Sequence, residues 1–134
     1  MSAVIAHAPT SLPESGWELR IGRGSRDRPA LEMYTRDGLV DVTVADGLNA
    51  ALVRGAMRGR HWSLAWGQLP RGGGDVLVEF RSGGSARSTP AITVAGAFWV
   101  AEVPGRFRSV AVDRESFRLR RFRRRRRGRE VTPA

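Results

Sequence analysis

From Trp17 to Phe122 apolar residues recur at every second position, in short runs broken by Gly, Asp and Pro. In DVLVEF (75–80), Val76, Val78 and Phe80 share one phase while Asp75, Leu77 and Glu79 share the other. SVAVD (109–113) and HWSLAWG (61–67) repeat the pattern, with Val110 and Val112 in phase, and Trp62, Leu64 and Trp66 in phase. Alternation of period two places successive side chains on opposite faces of extended backbone, so these runs predict strands. The strands are expected at 17–21, 31–36, 39–44, 50–57, 61–66, 75–81, 91–95, 97–103, 107–113 and 117–122. AFWVAEV admits two facings, and Glu102 in the phase of Phe98 and Val100 favours Trp99 inward.

The breaks carry turn chemistry. Asp-Gly in RDGL (36–39) and ADGL (45–48) suits the positive φ of tight hairpins, and RSGGS (81–85) closes another. PRGGGD (70–75) reads as a connector, and Pro104-Gly105 ends a strand. The nearest approach to helical spacing is Leu48, Leu52 and Met57, which Gly55 and Gly59 weaken. Short strands with frequent turns predict an all-β domain over 17–122, either an antiparallel β-sandwich or a small barrel. Residues 1–16, with Pro9, Pro13 and no period, read as a flexible leader. Trp17 beside it is the tryptophan expected to be most exposed.

Over residues 60–120 the succession of a hairpin, a proline, a strand, Gly-x-Phe and a Pro-Gly turn resembles small immunoglobulin-like sandwich domains of high-GC bacteria. The resemblance is one of strands and turns, and it implies a fold and no activity. The chain departs from the antibody pattern in having no cysteine.

Cysteine's absence also removes disulfides, zinc–thiolate sites and thiol nucleophiles. At 134 residues the chain is long enough for one core without such staples. No run of about 18 apolar residues predicts a membrane helix, and the N-terminus does not read as a signal peptide, so a cytoplasmic location is expected.

Charge changes the picture more. All 23 basic residues are arginine, a bias that high-GC coding accounts for. Residues 1–116 hold 14 arginines against 12 acids, whereas 117–134 hold nine against Glu130 alone. The net charge of +10 is therefore mostly a property of the C-terminus. SFRLRRF continues the alternation, with Phe117 and Leu119 opposite Arg118 and Arg120, until Phe122 breaks the phase. A strand ending near Arg121 is expected, its arginines facing water and discouraging edge-to-edge pairing. Residues 123–134 have the composition of a disordered cationic arm.

Candidate chemistry is sparse. His61 with a serine and Asp75 or Asp113 has no nucleophile elbow behind it, and His61 reads as an edge or turn residue. Asp37 with Asp41, or Glu79 with Glu102, would serve acid–base chemistry only if close, and Asp37 reads as a turn residue. Neither a metal site nor a cofactor site is expected. GRGSRDRP (22–29) and PRGGGD lack the motifs of nucleotide loops. Tryptophans beside arginines would suit base stacking, although Trp62 and Trp66 read first as a core stripe.

The expected function is thus a non-enzymatic binding module. Its sandwich would face a protein partner, and Arg118, Arg120, Arg121, Arg123, Arg124, Arg125, Arg126, Arg127 and Arg129 would add nonspecific affinity for nucleic acid. A second expectation docks the protein through the same arginines to an anionic membrane or envelope surface. An enzyme using His61 and a carboxylate ranks last.

Overall fold

A computed structural model describes residues 4–6, 9–45, 52–70 and 75–123, the first three as backbone alone. Within them the chain is all β apart from one short 3₁₀ turn at Ser25–Asp27.

The first sheet is a meander. Strands β2 (Thr10–Ser11), β3 (Glu18–Arg23), β4 (Pro29–Thr35) and β5 (Gly38–Val44) pair antiparallel in that order. The β4–β5 hairpin turns at Arg36-Asp37, with Gly38 at φ 118°, where a side chain would be strained. A second four-stranded sheet follows the order β13 (Glu115–Arg118), β12 (Ser109–Val112), β8 (Leu77–Ser82), β9 (Ser85–Pro90). The third sheet has six strands: β1 (Val4–Ala6), β10 (Ile92–Val94), β11 (Phe98–Pro104), β7 (Trp62–Gln68), β6 (Val53–Arg58) and β14 (Arg120–Arg121). Its two outermost pairings, β1 with β10 and β14 with β6, are parallel and the others antiparallel.

The six-stranded sheet lies between the other two and is buried on both faces. Trp99, Ala101, Val103 and Ala65 meet Val78, Phe80, Val110 and Val112 of the β8–β12 sheet in one core. Leu64, Trp66, Val94, Phe98 and Val100 meet Leu19, Leu31 and Met33 of the β3–β4 sheet in another. Each fully buried side chain of this size contributes about 1.5–3 kcal/mol. The result is an all-β, sandwich-like fold with no closed barrel.

Two buried faces resolve the ambiguity of AFWVAEV, because both phases point into a core. Glu102, in the phase of Phe98 and Val100, accepts hydrogen bonds from the backbone N–H groups of Glu14 at 2.8 Å and Ser15 at 2.7 Å. Ser63 is equally well satisfied at zero exposure. It donates to the Gly105 carbonyl at 2.9 Å and accepts from the Phe107 N–H at 3.0 Å. That pair ties the connector after β11 to the centre of the sheet.

Three expectations need correction. Part of the supposed leader belongs to the fold: β1 pairs with β10, β2 pairs with β3, and Leu12 is buried. Trp17 is buried at 2% exposure, with ring centroids 5.5 Å from Trp62 and 5.0 Å from Phe122. The single strand expected over 117–122 is two strands in different sheets, β13 and β14, with Leu119 buried between them and Phe117 exposed. Phe122 breaks the alternation because it turns onto the two tryptophans, its N–H held by the Arg58 carbonyl at 2.8 Å. The Asp-Gly of residues 46–47 and the glycines of 72–74 lie outside the described residues, as do His7 and residues 124–134.

Candidate functional site

Strand β6 reads VRGAMR, and strict alternation would put Val53 and Ala56 on opposite faces. Both are in the same core, because the register with β7 shifts between Val53 and Gly55 and leaves Arg54 as an extra, unpaired residue. A bulge of this kind re-aims side chains at a sheet edge. β14 then adds beside β6, with Arg120 opposite Met57 and Arg121 opposite Arg58. This long-range pairing brings together arginines that lie some sixty positions apart in the chain.

Two adjoining cavities mark the meeting. One, of about 640 Å³, is lined by Arg54, Arg118, Arg120 and Arg121 above Trp66 and Leu119. The other, of about 360 Å³, is lined by Arg58, Arg108, Arg118 and Leu119. One acid, Asp41, reaches the larger cavity, and its carboxylate accepts from the Trp66 indole N–H at 3.2 Å and the Thr43 hydroxyl at 3.1 Å. Among the described residues none of Arg54, Arg58, Arg108, Arg118, Arg120 and Arg121 has an ion-pair partner. Ion pairs seen among the described residues, such as Arg20–Glu18, Arg23–Asp27 and Arg81–Glu79, lie elsewhere. Arg54 Nη1 and Arg58 Nε are buried with no hydrogen-bond acceptor among the described residues. A buried charged donor left unpaired costs free energy that an arriving anion would recover.

A third cavity, of about 650 Å³, opens where the chain leaves β14. Trp17, Trp62 and Phe122 line it, with Arg36 and Arg60 beside them.

Of the arginines singled out from sequence, Arg118, Arg120, Arg121 and Arg123 are exposed, and the first three line the cavities. Arg124, Arg125, Arg126, Arg127 and Arg129 lie outside the described residues. Sequence reading missed Arg54, Arg58 and Arg108. The signal available was the arginine pair at even spacing in VRGAMR, on a strand otherwise apolar.

The acid–base candidates take structural partners instead. Asp41 holds Trp66, Glu102 holds the β2–β3 turn, and Glu79 pairs with Arg81 on the outer side of β8. His61 is exposed in the β6–β7 turn, where its carbonyl accepts from Gly105 N–H at 2.7 Å. Among the described residues no cluster of three or more His, Asp or Glu could hold a metal, and no helix is long and apolar enough to cross a membrane. Comparison with protein-family models, with curated proteins and with solved structures found no match for this chain.

Proposed function

We propose that the protein is a non-enzymatic module that binds nucleic acid through the arginine-lined edge of its six-stranded sheet, extended by the arginine run that follows Phe122. The observation that carries this reading is the β6–β14 pairing, which gathers Arg54, Arg58, Arg118, Arg120 and Arg121 without counter-ions among the described residues. Two of those guanidinium groups hold buried nitrogens with no acceptor among the described residues. Guanidinium forks match phosphate oxygens bidentately, so phosphates along a strand would supply the missing acceptors. Affinity that comes from phosphate contacts is sequence-independent and salt-dependent.

The test compares the full chain with a variant carrying Arg54→Gln, Arg58→Gln and Arg118→Gln. Each is titrated against a labelled DNA of about 20 nucleotides, the matching RNA, and anionic vesicles, at low and moderate salt. The expected result is binding to nucleic acid that weakens steeply with salt, and a loss of about tenfold or more in the variant. Equal binding by both proteins would overturn the reading. Binding to vesicles alone would replace it with attachment at an anionic membrane surface.

A further inference from the structure

Phe122 lines the aromatic cleft, while Leu119 lines the arginine cavities only three residues earlier, about 10 Å along extended backbone. The cleft therefore continues the arginine-lined edge at its C-terminal end.

Its composition differs from that of the edge. Trp62 is half-buried, set edge-on to Trp17 at 5.5 Å and tilted against Phe122 at 6.1 Å. Its indole lies across Gly59, where a Cβ would collide with the ring. The missing side chain leaves Trp62 in place as a wall of the cleft. Trp66 and Trp99 are turned inward and donate their indole N–H groups within the protein, Trp66 to Asp41 and Trp99 to the Leu52 carbonyl. Trp17, at 2% exposure, backs the cleft, and half-buried Trp62 is the ring that offers it a face. Exposed Arg36 and Arg60 stand at the same cleft together with one acid, Asp37.

A ligand suited to this site has a flat ring to lie against Trp62 and Phe122, and negative charge for arginine. We infer that the cleft takes an unpaired base of a nucleic-acid strand whose neighbouring phosphates lie on the arginine edge, which makes the protein a single-strand binder. This rests on the proposed function and adds to it the form of the substrate. Bases within a duplex keep their faces stacked on one another and cannot enter, whereas an unpaired base presents its face to any aromatic platform.

The experiment leaves phosphate charge fixed and varies the bases. The full chain is titrated with an oligothymidylate of about 16 nucleotides, with an abasic strand of the same length, and with a duplex. The oligothymidylate is expected to bind about tenfold or more tightly than the abasic strand, and to quench tryptophan fluorescence, which the abasic strand does not. Trp62→Ala should bring the two strands to equal affinity while leaving the abasic strand's affinity and salt slope unchanged. Equal binding of the two strands by the unaltered protein overturns the inference and leaves the arginine edge standing, and it needs no variant to fold. A preference for bases that survives Trp62→Ala also overturns the assignment to this cleft. Absence of salt-dependent binding to every strand overturns the inference together with the proposed function.

Discussion

Replacing Gly67 with alanine adds one methyl group at the most crowded point of the central sheet. Gly67 is buried on β7, directly opposite Trp99 on one side and Val53 on the other. A Cβ there would fall inside the contact radius of the Leu52 carbonyl oxygen and within 2.6 Å of the Trp99 indole nitrogen. Those two atoms hydrogen-bond each other at 3.0 Å, so the methyl group lands on that bond. Neither partner is free to retreat. Leu52 is held from the other side by Glu115, whose carboxylate accepts the Leu52 N–H at 3.0 Å, and Trp99 is packed at zero exposure. Overpacking costs about 1–3 kcal/mol, and a buried pair driven apart costs about another 1–3. Alanine's advantage over glycine in a strand returns about 0.5–1, which leaves a net loss of roughly 3 kcal/mol. With a urea m-value of about 2 kcal/mol/M, the unfolding midpoint followed by tryptophan fluorescence should fall by about 1.5 M. Gly84→Ala is the matched control, since its Cβ would meet nothing within 4 Å. It should change stability by less than about 0.5 kcal/mol. A Gly67→Ala midpoint equal to or above that of the unaltered protein would refute the packing described for the core around Trp99.

Trp66→Ala removes a ring at 1% exposure together with the indole donor to Asp41, and should cost about 3–5 kcal/mol in urea unfolding; a near-neutral result would make that face a surface. Glu102→Ala takes the acceptor from the Glu14 and Ser15 amides, so both should lose hydrogen-exchange protection while amides of β8 and β12 keep theirs. Tyr34, the single tyrosine, should ionise above the ordinary phenol range of about 10 in an ultraviolet titration. Its hydroxyl donates to Glu32 at 2.9 Å, and this bond outweighs burial and the Glu32 charge as the cause, while Arg20, 4.3 Å from the ring centroid, opposes the shift. A raised folded-state value favours the protonated phenol. The linked stability is complete below pH about 10 and is lost as pH rises through the folded-state value. Glu32→Ala should move the midpoint back toward the ordinary range, and an unchanged midpoint would discard the hydrogen bond as its cause.

The strands were legible wherever one face meets a core and the other meets water. Val78 and Phe80 against Leu77 and Glu79 is such a case, and the Val110–Val112 pair is another. The period fails for strands buried on both faces. WSLAWGQ and FWVAEVP read as near-continuous apolar runs because β7 and β11 divide two cores, and a two-layer sandwich could not be told from three layers on that pattern. β9 carries no pattern at all: SARSTP is polar and half-buried at most, and its place follows from the Gly-Gly hairpin that returns it to β8. Trp17 was placed at the surface because its neighbours looked irregular. Its partners, Trp62 and Phe122, stand far along the chain, where local alternation says nothing of it. The same holds for the candidate site. The arginines of 118–121 are visible in any composition plot, but their convergence with Arg54 and Arg58 depends on a bulge that the hairpin's alternation does not announce and on a long-range parallel pairing.

The most direct test of the account is the slope of log affinity against log salt for a single-stranded DNA, measured on the full chain and on the Arg54→Gln, Arg58→Gln, Arg118→Gln variant. Each phosphate contact contributes about 0.7 to that slope on a single strand. If these three guanidinium groups each hold a phosphate, the variant's slope should be shallower by about 2, with affinity reduced most at low salt. Identical slopes for the two proteins would contradict the claim that the β6–β14 edge is where this protein meets its partner.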